Sequence, residues 1–295
     1  MHDTLRGCLW MIGTIVSFTC MAVAGRAVSL DLDTFEIMLY RSLIGIVIVV
    51  AVASAFGTRH QIGVRRMGLH GLRNISHFAG QNLWFYAITV VPLAQVFALE
   101  FTSPLWVMLL SPLVLGERLT MGRALAAIGG FIGILIVARP SPETFHIGLV
   151  AAALAAIGFA GSAVFTRRLT RTEPITQILF WLTAMQAVFG LLCAGFDGDI
   201  AVPDPASLPW IAVIAFAGLV AHFCLTTALS LAPATVVMPI DFARLPVIAL
   251  VGMLLYSEDL DPWVFLGAVV IFGANYLNIL RETRDSAKNA PVTKT

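Results

Sequence analysis

The sequence predicts an all-α integral membrane protein whose ten transmembrane helices form two inverted repeats of five. Three observations carry that expectation. Apolar residues make up 59% of the 295 positions and charged residues 12%, against about 45–50% and 25% in soluble domains. A soluble protein this apolar lacks the polar side chains to cover its core, whereas a bilayer accepts apolar surface outside as well as inside. The second observation is a series of apolar stretches of spanning length. The third is a match of the chain to itself at one constant shift.

A spanning helix needs about 20 mostly apolar residues. The first five such stretches run roughly from Gly7 to Val28, Phe35 to Phe56, Arg73 to Val90, Ala94 to Leu115 and Met121 to Ala138. Five more run from Ile147 to Leu169, Ile175 to Phe196, Leu208 to Leu231, Ala234 to Tyr256 and Trp263 to Leu280. Arg6, the apolar run after it and Ala22-Val23-Ala24 imitate a cleavable secretory signal. The counterpart of that run, Gly148 to Leu169, lies in mid-chain where no signal can be, so the first stretch is read as a span. Cys8, Cys20, Cys193 and Cys224 are scattered through apolar stretches without a CxxC pair and read as small buried hydrophobes.

A shift of 141 residues superposes the halves without a gap: Gly7 on Gly148, Arg26 on Arg167, Pro92 on Pro233, Phe101 on Phe242, Glu117 on Glu258. Glu100 meets Asp241. Leu and Ala coincidences are cheap in apolar sequence, but prolines and acids matching at one offset are not. The two units are residues 7–140 and 147–281, with a polar tail at 282–295. Five spans per unit is an odd number, so the second copy enters the membrane in the opposite sense.

Loop charges test the topology separately, because cytoplasmic loops collect Lys and Arg. With the N-terminus inside, fourteen of the eighteen basic residues are cytoplasmic, among them Arg6, Arg59, Arg65, Arg66, Arg73, Arg167 and Arg168. Arg26 and Arg139 face out, where Asp31, Asp33, Glu143, Asp197 and Glu258 also gather. Both termini are then cytoplasmic, and the compartment is the inner (plasma) membrane. A net charge of +1 with no long basic face leaves nothing to hold a phosphate backbone, so nucleic acid is not an expected partner.

Particular stretches resemble a known family. They are Phe35-Glu36 to Tyr40-Arg41, Pro92-Leu93-Ala94 through Phe101, Pro104-Leu105, Leu115-Gly116-Glu117-Arg118 and Gly129-Gly130-Phe131-Ile132-Gly133. In the second copy Ala232-Pro233-Ala234, Pro239, Asp241-Phe242, Arg244-Leu245 and Glu258 take the corresponding places. Together and in register they resemble the drug/metabolite transporter superfamily, in its EamA-type branch of ten-helix carriers. The resemblance implies transport of a small organic solute. A further likeness, to bacterial riboflavin and S-adenosylmethionine uptake carriers, implies one of those solutes, then amino acids or related metabolites.

An ionised side chain at bilayer depth costs at least about 2.5–3.5 kcal/mol, so such groups face a bundle interior, a partner or water. Arg41, Glu100, Asp241 and Arg244 are the candidates. Asp241 and Arg244, at i and i+3, share one side of a helix and can neutralise each other. Glu100 and Asp241 each lie roughly 9 Å inside the start of their span, flanking the midplane where an inverted-repeat carrier keeps its solute. They either contact a cationic solute group or a coupling proton, or only fasten helices together. Arg41 and Arg244 balance them or hold a solute carboxylate. Pro104, Pro112, Pro239 and Pro246 either bend these spans or free carbonyls for a ligand.

The third span also shows Asn74, His77 and Gln81 at helical spacing, with Trp84 close to the same stripe; under the shift His222 falls on Gln81. Such a stripe can hydrogen-bond a heterocyclic or zwitterionic solute, with Trp84 and Tyr86 offering ring faces. The alternative is hydrogen bonding between helices. Glu117 and Glu258, each about one turn before the next helix, suit a capping role there.

No GxSxG, no HExxH and no His or Cys pair at ligand spacing occurs, so neither an enzyme nor a cofactor or metal is expected. A passive channel and a membrane scaffold are the rival readings; matched polar groups at matched depths favour alternating access, with spans 3, 4, 8 and 9 lining a central cavity. The expected partners are a small-molecule solute and the lipid bilayer, and a homodimer stays open beside a monomer.

Overall fold

A computed structural model describes residues 2–28, 31–117, 120–139, 146–196, 198–259, 261–270, 273–274 and 276–277. Arg118, Glu143, Asp197, Leu280 and the tail at 282–295 lie outside the described residues. Among the described residues every regular element is helical. They run α1 (His2–Val28), α2 (Thr34–Ala55), α3 (Met67–Val90), α4 (Leu93–Glu100), α5 (Ser103–Leu115) and α6 (Met121–Ala138). Then come α7 (Ile147–Leu169), α8 (Ile175–Ala194), α9 (Leu208–Leu231), α10 (Ala234–Val237), α11 (Arg244–Tyr256) and α12 at 262–270.

Six stretches are long and apolar enough to cross a bilayer: Asp3–Val28, Thr34–Ala55, Leu93–Leu115, Ile147–Leu169, Ile175–Ala194 and Leu208–Leu231. α3 has the length, at 24 residues, but carries Arg73, Asn74, His77 and Gln81. The apolar part of α6 is the shorter Ala127–Ile136. Element starts recur 141 residues apart: Thr34 and Ile175, Met67 and Leu208, Leu93 and Ala234, Ser103 and Arg244. α5 and α11 even stop on equivalent left-handed residues, Gly116 (φ 68°) and Ser257 (φ 54°), the conformation that ends many helices.

Two sequence expectations need correction. α3 begins at Met67, six residues before the expected start, so Arg73 is no loop cation; it sits two turns into the helix and is buried. The fourth and ninth stretches are not continuous helices either. α4 stops at Glu100 and α5 starts at Ser103, while a 3-10 segment, Met238–Ala243, separates α10 from α11. Proline explains the position of both breaks: Pro104 and Pro246 have no N–H for the carbonyls of Glu100 and Phe242, four residues earlier.

The long helices pack in antiparallel pairs. Gly7 of α1 lies by Ala228 and Ala232 at one end of α9, and Ser207 donates to Asp31 Oδ2 at 2.5 Å at the other. Gly148 at the start of α7 lies against Val90 and Val91, while Arg73 Nε reaches Thr166 Oγ1 at 3.1 Å. α2 runs along α8, with Tyr40 donating to the Ala201 carbonyl at 2.8 Å and Trp181 to that of Gly63 at 2.7 Å. Arg167 near the end of α7 donates to the Leu229 carbonyl at the end of α9, beside the start of α1, so the ends of α1 and α7 lie at opposite ends of the bundle. Leu113, Phe196 and Leu254 point outward, whereas Arg41, Arg73, Glu100 and Arg244 are buried. That inside-out distribution is stable in lipid and not in water.

Candidate functional site

The two interrupted helices bring their breaks together at the centre of the bundle. Glu100 is the last residue of α4, Asp241 sits in the 3-10 segment, and Arg244 opens α11. One guanidinium nitrogen, Arg244 Nη2, donates to Glu100 Oε1 at 2.5 Å and to Asp241 Oδ2 at 2.7 Å. Trp84 Nε1 donates to Glu100 Oε2 at 2.6 Å. Phe18, Phe97 and Phe101 hold the guanidinium from their ring faces at 5.2, 4.8 and 5.4 Å. Two carboxylates and one guanidinium give this cluster a formal excess of one negative charge. Asp241 Oδ1 and Arg244 Nε are buried with no hydrogen-bond partner among the described residues.

The cluster forms one wall of an internal cavity that His77, Gln81, Trp84, His222 and Arg73 also line. Its volume is about 50 Å³. That is room for a few waters. The His77 and His222 rings meet edge to face at 4.7 Å. His77 Nε2, both nitrogens of His222 and Gln81 Nε2 are buried and unpartnered among the described residues. Unsatisfied polar atoms are costly, and so many around one cavity mark it as a place where hydrogen bonds are completed by something that enters.

Not every expected residue meets the cavity. Tyr86 stands two residues beyond Trp84, about 200° around α3, and lines an outer groove of about 700 Å³ between α2 and α3 with Phe35, Phe78 and Asn82. Asn74 is a fastener: its Nδ2 donates to the His70 carbonyl at 2.9 Å and the Trp181 carbonyl at 3.2 Å. Arg41 lies one layer behind, in a smaller cavity shared with Gln186 and His222, where its Nη1 meets Met21 Sδ at 3.6 Å. Arg244 is already neutralised from two sides, so the expectation that it holds a solute carboxylate finds the position filled by Glu100 and Asp241. Arg73, not among the expected site residues, lines the cavity instead.

Above and below, the loop acids cross between the halves. Glu258 pairs with Arg26 and accepts from the Leu93 N–H at 3.3 Å, so it caps α4 of the other half rather than the helix that follows it. Arg26 also stacks on Tyr256 at 4.6 Å. At the opposite end of the bundle Glu117 lies 4.0 Å from Arg167. Arg26 and Arg167, like Glu117 and Glu258, are 141 residues apart, so each end carries the same pair with the halves exchanged.

The sequence pattern of the EamA-like transporter family matches twice, at residues 5–139 and 146–280. A riboflavin transporter of Brucella anthropi is 32% identical, over 86% of this chain and 90% of its own. An S-adenosylmethionine uptake transporter of Rickettsia bellii is 24% identical over 98% and 99%. A riboflavin transporter of Vibrio cholerae is 28% identical over 92% and 91%. One solved crystal structure, 18% identical, superposes with a TM-score of 0.70 over 93% of this chain and 98% of its own, a shared fold.

Proposed function

The chain belongs to the EamA-like transporter family, and from that premise we propose how it works. It is a membrane transporter of small metabolites. Residues 7–140 and 147–281 form two five-span repeats, inverted with respect to each other and making ten spans in all; the doubled family match and the recurring helix starts support this. The protein sits in the inner membrane with both termini cytoplasmic, a reading that the loop bias in basic residues supports with Arg73 set aside.

The halves rock about the central cavity and expose it to one side at a time. A metabolite the size of riboflavin or S-adenosylmethionine needs a site of about 300–1,000 Å³, while the cavity holds about 50 Å³. The cavity as it stands is therefore too small for such a solute, and it widens as one end of the bundle parts. Glu100, Asp241 and Arg244 with Trp84, His77, Gln81 and His222 contact it; Arg41 supplies charge from behind, and Tyr86 meets it only along the outer groove. The observation that carries this reading is the buried Glu100–Arg244–Asp241 cluster, built from the breaks of both interrupted helices and facing a small polar-lined cavity.

Thermal unfolding of the purified protein against riboflavin, S-adenosylmethionine, amino acids and nucleosides tests it. A ligand bound only by the folded state adds about 2.7 kcal/mol at a hundredfold excess over Kd. The expected result is a concentration-dependent rise with riboflavin or S-adenosylmethionine and saturable flux of the same solute in proteoliposomes. Flux that never saturates would make the protein a channel, and no shift and no flux across the panel would contradict a carrier of these solutes.

A further inference from the structure

The cavity has a second charged end. Arg73 is 2% exposed and Arg41 6%, and neither pairs with a carboxylate among the described residues. Arg73 spends Nε on the Thr166 hydroxyl at 3.1 Å and Nη1 on the Asn74 amide oxygen at 2.9 Å, both neutral acceptors. Its Nη2 has no acceptor among the described residues, and the side chain lines the cavity. The acid at that end of α3, Glu173, pairs with Arg66 at 3.7 Å. Among the described residues Arg41 has the Met21 sulfur as its one hydrogen-bond partner. Two guanidiniums in a low-dielectric interior without a counter-ion are expensive, and the usual remedy is an anion.

The remaining polar groups point the same way. His77 Nε2, Gln81 Nε2 and both His222 nitrogens, unpartnered and buried, lie between Arg73 and the Glu100 cluster. Along α3, Arg73 and Trp84 are eleven residues apart, roughly 16 Å at helical rise. The cavity is thus polarised lengthwise, with a formal excess of one negative charge at the Glu100 end and the Arg73 guanidinium at the other, while Arg41 stands in the adjoining smaller cavity behind His222.

We propose that Arg73, backed by Arg41, is an anion subsite, and that the transported solute carries a carboxylate there and a cationic group towards Glu100 and Asp241. This rests on the cavity being the solute's site, as proposed above, and narrows the solute to a zwitterion over a neutral heterocycle. Arg73 Nη2 takes one carboxylate oxygen, and His77 or Gln81 completes the other.

Proteoliposome uptake of S-adenosylmethionine, its decarboxylated analogue and riboflavin tests it, on wild type, Arg73→Gln and Arg73→Lys. Wild type should favour the carboxylate-bearing solute by about tenfold or more, the worth of one charge-assisted hydrogen bond. Arg73→Gln should bring that ratio close to one, and Arg73→Lys, keeping the charge and guarding against a mere folding defect, should retain most of it. Equal uptake of the two analogues by wild type, riboflavin uptake alone, or an unchanged ratio in Arg73→Gln would overturn the subsite and leave the transporter reading standing. No uptake of any of the three by folded wild type would overturn both.

Discussion

The two interrupted helices occupy equivalent places in the two stretches that match the family pattern, yet they are put to different uses. α4 and α10 start at equivalent residues, as do α5 and α11, and Phe101 meets its equivalent Phe242 edge to face at 5.5 Å. The carboxylates match, Glu100 with Asp241. The cation does not: where the second copy has Arg244, the first has Ser103. Arg41 and Arg73 are likewise unmatched, standing opposite Leu182 and Ile214. Matched residues, such as the Arg26–Glu258 and Arg167–Glu117 pairs, hold the halves to each other. The cavity takes residues of both kinds: Glu100 and Asp241, and Phe18 and Phe159, correspond across the shift, whereas Arg73 and Arg244 do not, and the unmatched Arg41 lies just behind. The matched positions give each half a carboxylate at the cavity, and the unmatched cations make the two halves unlike.

The sharpest way to break that division is at its one shared cation. Arg244→Met leaves Glu100 and Asp241 buried and unpaired, and removing one partner of a buried ion pair costs about 3–5 kcal/mol. The melting temperature in detergent should fall accordingly, and adding Glu100→Gln with Asp241→Asn should recover most of it without recovering uptake. Recovery of uptake as well would make the cluster a fastener only.

A smaller effect separates two of the antiparallel contacts, α3–α7 and α1–α9. A Cβ on Gly158 of α7 would stand 2.7 Å from the Ser76 carbonyl oxygen and 2.8 Å from Gly80 Cα, backbone atoms that cannot yield without a helix shift. The equivalent position on α1 is Ser17, which is half-buried and already carries a side chain. Gly158→Ala should cost about 1–3 kcal/mol, and Ser17→Ala less than about 0.5 kcal/mol, both read by denaturant or thermal unfolding. Equal costs would mean that the two contacts are alike after all.

Smallest in energy are the end pairs, each about 0–1 kcal/mol for partly exposed groups. Their effect should have direction. Glu258→Gln loosens the Arg26 end and Glu117→Gln the Arg167 end, so single cysteines lining the cavity should gain thiol-reagent access from opposite sides of the membrane in the two variants. Access from the same side in both would undo the exchange of roles between the halves.

Much of this was legible in the sequence because lipid makes burial a nearly one-dimensional problem: apolar length marks helices, and prolines and acids at a constant offset mark the repeat. The Asp241–Arg244 pair was legible too, being one helical turn apart. Its third member was not, since Glu100 lies 144 residues away and only packing brings it to the guanidinium. Arg73 was misplaced because counting basic residues by loop assigns every arginine at a polar edge to water. A signal existed: Arg73 precedes His77 by four residues and extends the stripe of His77, Gln81 and Trp84 by one turn. Tyr86 went the other way. Its ring chemistry fitted a solute, but its phase on α3 put it on the far side of the helix.

The most direct measurement is uptake into proteoliposomes by Glu100→Gln and Asp241→Asn, each beside wild type reconstituted at equal density. If the cluster couples the two halves to the solute, both variants insert and melt as folded proteins yet lose uptake of the solute that stabilises the wild type. Transport at the wild-type rate by both would contradict a solute site at Glu100 and Asp241.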